Sequence, residues 1–80
     1  MNLYLLTRTD KWSYDDFDSF VAAHHTKADA RQLHPDGRGS IYNPTSDGWP
    51  TDPAFIEVKL LGTATFGTEP GVICASFNAG

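Results

Sequence analysis

Seven residues near the N-terminus, Trp12 to Asp18, bring three carboxylates and three aromatic rings together. Paired carboxylates act as general acid and base when an apolar pocket separates their pKa values, but nothing in the surrounding sequence predicts such a pocket. Acidic residues beside large rings are also typical of a surface that attracts a basic protein and holds it by ring contacts. An ordinary solvated acidic loop is the alternative. The candidate partner-binding residues are Trp12, Tyr14, Asp15, Asp16, Phe17 and Asp18.

Three histidines and one cysteine are the other side chains able to do chemistry: His24, His25, His34 and Cys74. Their spacings match neither a Cys-x-x-Cys pair nor a helical His-x-x-x-His pair, which are typical of zinc sites. Cys74 lies within a β-prone run, whereas a reactive thiolate favours an electropositive site or a helix N-terminus. We therefore predict no metal, no cofactor and no catalytic residue, so that an enzyme is the least favoured interpretation.

Composition narrows the class of protein further. Ten acidic against six basic side chains give a formal charge of −4, which argues against direct nucleic-acid binding and favours a basic protein partner. The lone cysteine cannot form an internal disulfide, and the N-terminal residues do not resemble a signal peptide. No apolar run approaches the roughly 20 residues of a membrane span. We expect a single domain over residues 1–80, in the cytoplasm and without membrane contact.

The elements that must position the acidic stretch begin with two strands and a helix. Short β-prone runs predict strands at Leu3 to Thr7 and at Ser19 to Ala23, joined by a long acidic connection. Thr26 offers an N-cap hydroxyl, and the residues from Lys27 to Leu33 favour a short helix that Pro35 ends.

A segment rich in glycine and proline, Asp36 to Ala54, predicts a long loop. Strands are expected at Phe55 to Leu61 and at Gly71 to Phe77. The fold class is therefore α+β, with a four-stranded, mainly antiparallel sheet in the order β-β-α-β-β and one helix on one face. The expected core comprises Leu3, Leu5, Phe20, Ala30, Leu33, Ile56, Val58, Leu60, Ile73 and Phe77.

Two segments carry a resemblance to a group of small phage-encoded proteins. Tyr14 to Ser19 matches their Tyr-Asp-x-Tyr/Phe-Asp-Ser segment, and Ala75 to Gly80 matches their Ala-Ser-Phe-Asn-Ala-Gly ending. The resemblance runs from the first strand to the C-terminus, and the last six residues are its most specific part. It implies a phage origin.

In size, charge and lack of a catalytic signature the chain also resembles a type I anti-CRISPR protein, with type I-C as the subtype it suggests. This resemblance implies binding to the Cascade complex of an infected bacterial cell, whose DNA channel is lined with lysine and arginine. An acidic protein in that channel blocks target DNA without chemistry. The alternative is a phage accessory protein that binds another host factor, such as a nuclease or a polymerase subunit.

Overall fold

The computed structural model describes residues 1–10, 16–44 and 48–78 of the chain. Four long strands and one short helix dominate it, and two two-residue strands and a 3-10 turn lie between them. In chain order the elements are β1 (Asn2–Arg8), β2 (Asp16–His24), α1 (Lys27–Arg31), β3 (Gly39–Ser40), β4 (Asn43–Pro44), the 3-10 turn (Pro53–Phe55), β5 (Ile56–Thr63) and β6 (Gly71–Asn78).

The four long strands form one antiparallel sheet in the spatial order β5-β1-β2-β6. The hairpin of β1 and β2 lies at the centre, so β5 and β6 are edge strands. The predicted α+β class, with a four-stranded antiparallel sheet and one short helix, is confirmed. The predicted order lacks two strands, because β3 and β4 pair with each other inside the segment that was expected to be irregular.

Two of the differences between the predicted and observed element boundaries affect the acidic stretch and the helix. Strand β2 begins at Asp16, three residues before the expected Ser19, so the second half of the acidic stretch is strand. The helix ends at Arg31 because Leu33 leaves it to form a β-bridge with Ser40, and the Ile41 N–H donates to the carbonyl of Gln32 at 2.9 Å. Pairing with the loop therefore replaces the last predicted turn of helix.

The start of the helix agrees with the prediction. The Thr26 hydroxyl accepts a hydrogen bond from the backbone N–H of Asp29 at 3.1 Å. A helix of five residues is unstable alone, so packing must hold it, and Ala30 on its inner side is fully buried.

The core lies on one face of the sheet, under the helix and the loop. Trp49 packs its ring edge-on against Phe20, with centroids 5.1 Å apart, and thereby brings the loop onto the sheet. The buried cluster comprises Tyr4, Leu6, Phe20, Ala22, Ala30, Ile41, Trp49 and Ile56.

The predicted core is correct at Phe20, Ala30 and Ile56, which are buried, and Leu33 and Val58 pack against them while partly exposed. It is wrong at three edge-strand residues, which are about half exposed: Leu60, Ile73 and Phe77.

In β1 the prediction chose the wrong alternation. Strand β1 is apolar at every position from Leu3 to Leu6, and the sequence does not say which alternate set faces the helix. The structure turns Tyr4 and Leu6 inward and leaves Leu3 and Leu5 partly exposed on the other face of the sheet.

No helix within the described residues is long and apolar enough to cross a membrane.

Two leucines test the assignment of the core. Leu6 is fully buried in the central strand, whereas Leu60 is 51% exposed on an edge strand. Leu6→Ala should lower the free energy of unfolding by about 3 kcal/mol, because it leaves a cavity, and the matched Leu60→Ala by less than about 1 kcal/mol. Urea denaturation of both variants measures these values. Equal losses would show that the edge strand is packed as tightly as the central strand, which would contradict this core.

Candidate functional site

Arg8, the last residue of β1, organises the end of the sheet that carries the acidic stretch. Its guanidinium binds the Asp10 carboxylate through two bonds, from Nε to Oδ1 at 2.7 Å and from Nη2 to Oδ2 at 3.0 Å. Nη1 donates to the backbone carbonyls of Phe17 and Gly48, both at 3.2 Å. One side chain thus joins β1, the start of β2 and the loop, and the bidentate pairing fixes its orientation.

Backbone bonds complete this junction. The Thr9 N–H donates to the Phe55 carbonyl, and the Phe17 N–H to the Gly48 carbonyl, each at 2.8 Å. The carbonyl of Gly48 therefore accepts from both Arg8 and Phe17. The guanidinium carbon also lies 6.0 Å from the centre of the Trp49 ring, at the limit of a cation–π contact. The loop is attached to the sheet by polar bonds at this end and by Trp49 beside it.

The positive charge of this junction is more deeply buried than its negative charges. The Arg8 side chain is only 7% exposed, while those of Asp10 and Asp16 are each 26% exposed. Asp16 Oδ2 lies 3.9 Å from Arg8 Nη1 and forms a second, longer ion pair. The junction therefore encloses its cation and leaves its two carboxylates partly exposed.

The pairing shifts the pKa values of both partners. The hydrogen bond to Asp10 raises the pKa of Arg8, against the opposing effect of burial. The hydrogen bond from Arg8 holds the pKa of Asp10 below its ordinary value, again against burial. Both groups are therefore charged at neutral pH.

Two more carboxylates lie at the same end of the molecule. Asp18 is on β2 and accepts a hydrogen bond from the Ser19 hydroxyl at 3.1 Å. Asp52 is exposed and caps the 3-10 turn by accepting from the Ala54 N–H at 2.9 Å. We call the four carboxylates the acidic end: Asp10, Asp16, Asp18 and Asp52.

The acidic end carries an excess of negative charge. Its four carboxylates and Arg8 sum to −3, and the formal charge of the whole chain is −4. A field of one sign over one end of a small protein steers oppositely charged partners to that end.

Of the six residues predicted to bind a partner, three are described, and all three lie on β2: Asp16, Phe17 and Asp18. The two carboxylates belong to the acidic end. The Phe17 ring instead packs within the protein, 4.9 Å from the Phe77 ring and 6.2 Å, edge to face, from His34. Partner contact by Phe17 stays a prediction. Trp12, Tyr14 and Asp15 lie outside the described residues.

The sequence interpretation missed Arg8, Asp10 and Asp52 as members of this site. The opposite charges of Arg8 and Asp10, two residues apart, were a weak signal, because Arg8 ends β1 and Asp10 lies beyond the strand. The Asp-Pro pair at Asp52 was another, since it is typical of a turn start or helix cap. Nothing in the sequence indicated that Asp52 and β2 lie at the same end of the molecule.

The candidate metal ligands differ in exposure and in their hydrogen bonds. His34 is 2% exposed, and its Nδ1 accepts from the Asp36 N–H at 3.2 Å, while His25 and Cys74 are exposed. His24 Nδ1 accepts from the backbone N–H of His25. Residues 1–10, 16–44 and 48–78 contain no group of three candidate ligands able to hold a metal ion, and they enclose no pocket.

Comparison with known proteins identifies no relative of this chain. No protein-family model matches the chain, and neither the curated proteins nor the solved structures that were searched contain a significant match.

Arg8→Lys tests whether the guanidinium holds the acidic end together. Lysine keeps the charge but cannot bind Asp10 bidentately and reach two carbonyls at once, so we expect the free energy of unfolding to fall by about 2 kcal/mol. Arg38→Lys, at an exposed position, is the matched control and should change it by less than about 0.5 kcal/mol. Chemical denaturation measures both values, and equal effects would contradict the role given to Arg8.

The lowered pKa of Asp10 predicts a specific loss of stability in acid. Its contribution is complete above the unfolded-state pKa of about 3.9, and it is lost as the pH falls through the lower folded-state value. As the pH is lowered below about 4, the free energy of unfolding of the parent should therefore fall more steeply than that of the Asp10→Asn variant. Denaturation curves at a series of pH values test this, and identical slopes would contradict it.

Proposed function

We propose that the chain is a phage-derived protein inhibitor that binds, through its acidic end, a basic surface of a host defence complex, namely the DNA-binding face of a type I CRISPR Cascade. Bound there, it prevents target DNA from entering a channel lined with lysine and arginine. The inhibitor needs no catalytic residue and no cofactor for this action. The phage origin and the Cascade partner come from the sequence resemblance, and the acidic end supplies the physical means of binding.

One observation carries the proposal: the acidic end encloses its cation and leaves its carboxylates at least partly exposed. If Arg8 were exposed, it would offset the carboxylates at the surface where a partner approaches. Its side chain is instead 7% exposed, and its donors bind Asp10 and backbone carbonyls. A basic partner therefore meets carboxylates, and DNA, which is an anion, is repelled by the same surface.

The acidic end is also held in place before a partner arrives. Its carboxylates lie on a sheet strand, next to an arginine junction and at the cap of a 3-10 turn. A preordered surface loses less conformational entropy on binding than a flexible acidic loop does, so more of the interaction energy appears as affinity.

Aromatic anchors complete the proposed surface. Asp10 and Asp16 both belong to the acidic end. In the sequence, Trp12 and Tyr14 stand between these two aspartates. Rings of this kind carry a large share of binding energy in protein interfaces. We assign the anchoring role to these two residues in preference to Phe17, whose ring already packs against Phe77.

The second candidate is a phage accessory protein that uses the same acidic end on another basic host factor, such as a nuclease or a polymerase subunit. The charge distribution supports both candidates equally, and only the resemblance to type I anti-CRISPR proteins favours Cascade. A pull-down with the tagged chain from a bacterial host that carries a type I-C system separates them. Recovery of Cascade subunits supports the proposal, and recovery of another factor alone contradicts it.

Charge neutralisation tests the surface itself. Asp18→Asn with Asp52→Asn leaves the Arg8 ion pairs intact and retains the cap, since asparagine also caps. Surface plasmon resonance at low salt should show association with purified Cascade slowed by about tenfold, with a weaker dependence on ionic strength and little change in dissociation.

The matched control removes two carboxylates outside the acidic end, at exposed Asp29 and Glu69, by Asp29→Asn with Glu69→Gln. Both double variants raise the net charge by two, so a general charge effect would slow them equally. We expect the control to associate at a rate close to that of the parent. Equal slowing, or no slowing in either variant, would contradict a binding surface at the acidic end.

A further inference from the structure

The face of the sheet opposite the core is unusually apolar at its centre. The strand register aligns its positions in three rows across the strands β5, β1, β2 and β6: Glu57, Thr7, Ser19 and Ser76; Lys59, Leu5, Val21 and Cys74; and Gly62, Leu3, Ala23 and Gly71. We call this surface the outer face.

The central strands have the sequence signature of burial on both sides. An antiparallel strand with one wet face alternates apolar and polar residues, whereas Leu3 to Leu6 and Phe20 to Ala23 are apolar without interruption. The helix, Ile41 and Trp49 cover the core face. On the outer face Ala23 is buried, but Leu3, Leu5 and Val21 remain partly exposed and Cys74 is exposed.

The outer face differs from the rest of the molecule in charge. The three rows carry one acidic side chain, Glu57, and one basic side chain, Lys59, whose formal charges cancel, although the whole chain carries −4. A second copy of this acidic protein would be repelled at the acidic end but not here. A strongly basic partner gains nothing from this face and is attracted to the acidic end instead.

The area of the outer face fits a second copy. Strands of seven and eight residues, at about 3.3 Å per residue and about 4.8 Å apart, give a face of roughly 500 Å². Two such faces together bury roughly 1,000 Å², which is the lower limit for a specific interface. The edges of the face are also open, since a Cβ added at Gly62 or Gly71 would meet no atom within 4 Å.

We propose that the outer face binds a second copy of this chain and forms a face-to-face, twofold-symmetric sandwich of two sheets. With the twofold axis running along the strands between β1 and β2, Leu5 of each copy packs against Val21 of the other. In this arrangement the two acidic ends lie at the same end of the dimer, outside the three rows, so salt that screens their repulsion should favour the dimer. The dimer does not rest on the proposed Cascade binding.

Sedimentation velocity of the full chain, from about 5 to about 500 µM, tests the proposal. We expect a monomer of 8.8 kDa at the low end and twice that mass at the high end. Leu5→Thr with Val21→Thr keeps the β-propensity of the strands but removes apolar surface, and it should weaken the dimer at least tenfold while the monomer stays folded.

Phe66→Thr with Tyr42→Thr is the matched control, because it removes two exposed rings outside the outer face, 103% and 67% exposed. This variant should dimerise as the parent does. The proposal is overturned if the parent remains monomeric at the highest concentration, or if the outer-face variant dimerises as strongly as the control.

Cys74 gives a second readout that needs no variant. It is exposed and lies in the central row of the outer face. In the reduced protein its rate of reaction with a disulfide reagent, per molecule, should fall at least severalfold as the dimer forms. A rate that does not change with protein concentration overturns the proposal even if the outer-face variant fails to fold.

Discussion

The arrangement of this protein depends on one enclosed cation. Arg8 ends the central strand β1, and its guanidinium bonds reach Asp10, the first residues of β2 and the loop that carries Trp49. Removing such a donor would leave buried or partly buried carbonyls and a carboxylate without their partner, which costs more than the bonds contribute in net terms. The same geometry sets the surface charge, because a cation directed inward leaves its carboxylates as the outer layer. Stability and the proposed binding surface therefore have a common origin.

The amino-acid pattern predicted the parts of the fold that local chemistry determines. The N-cap at Thr26, the strand-forming runs and the breakers gave the number and type of the main elements, because each depends on residues close together in the chain. Which face of β1 turns inward was not predictable, since Leu3 to Leu6 offers two equivalent apolar alternations. The acidic end was predicted only in part. Asp16 and Asp18 were visible as a cluster, but Arg8 and Asp52 join it through contacts between distant segments, which no local pattern encodes.

The two faces and two ends of the sheet divide the possible roles of the molecule. One face holds the core, the outer face is apolar at its centre with no net formal charge in its three rows, and one end holds four of the ten carboxylates. A monomer this small buries only a modest share of its surface. Dimerisation through the outer face would therefore add to its stability and also double the number of binding surfaces per molecule. In the proposed dimer both acidic ends lie at the same end, so one basic surface would contact both, with gain from multivalency where the spacing allows.

The central claim is that the Arg8 guanidinium is enclosed and fixed by Asp10 and the carbonyl groups. The most direct measurement is the ¹⁵N–¹H NMR spectrum of the arginine side chains near neutral pH. The account predicts that the Arg8 Nε–H exchanges slowly with water and gives resolved Nη–H signals, because its donors are bonded and shielded. Exposed Arg38 supplies the internal comparison, with rapid exchange and averaged Nη signals. An Arg8 side chain that exchanges as fast as that of Arg38 would contradict the account.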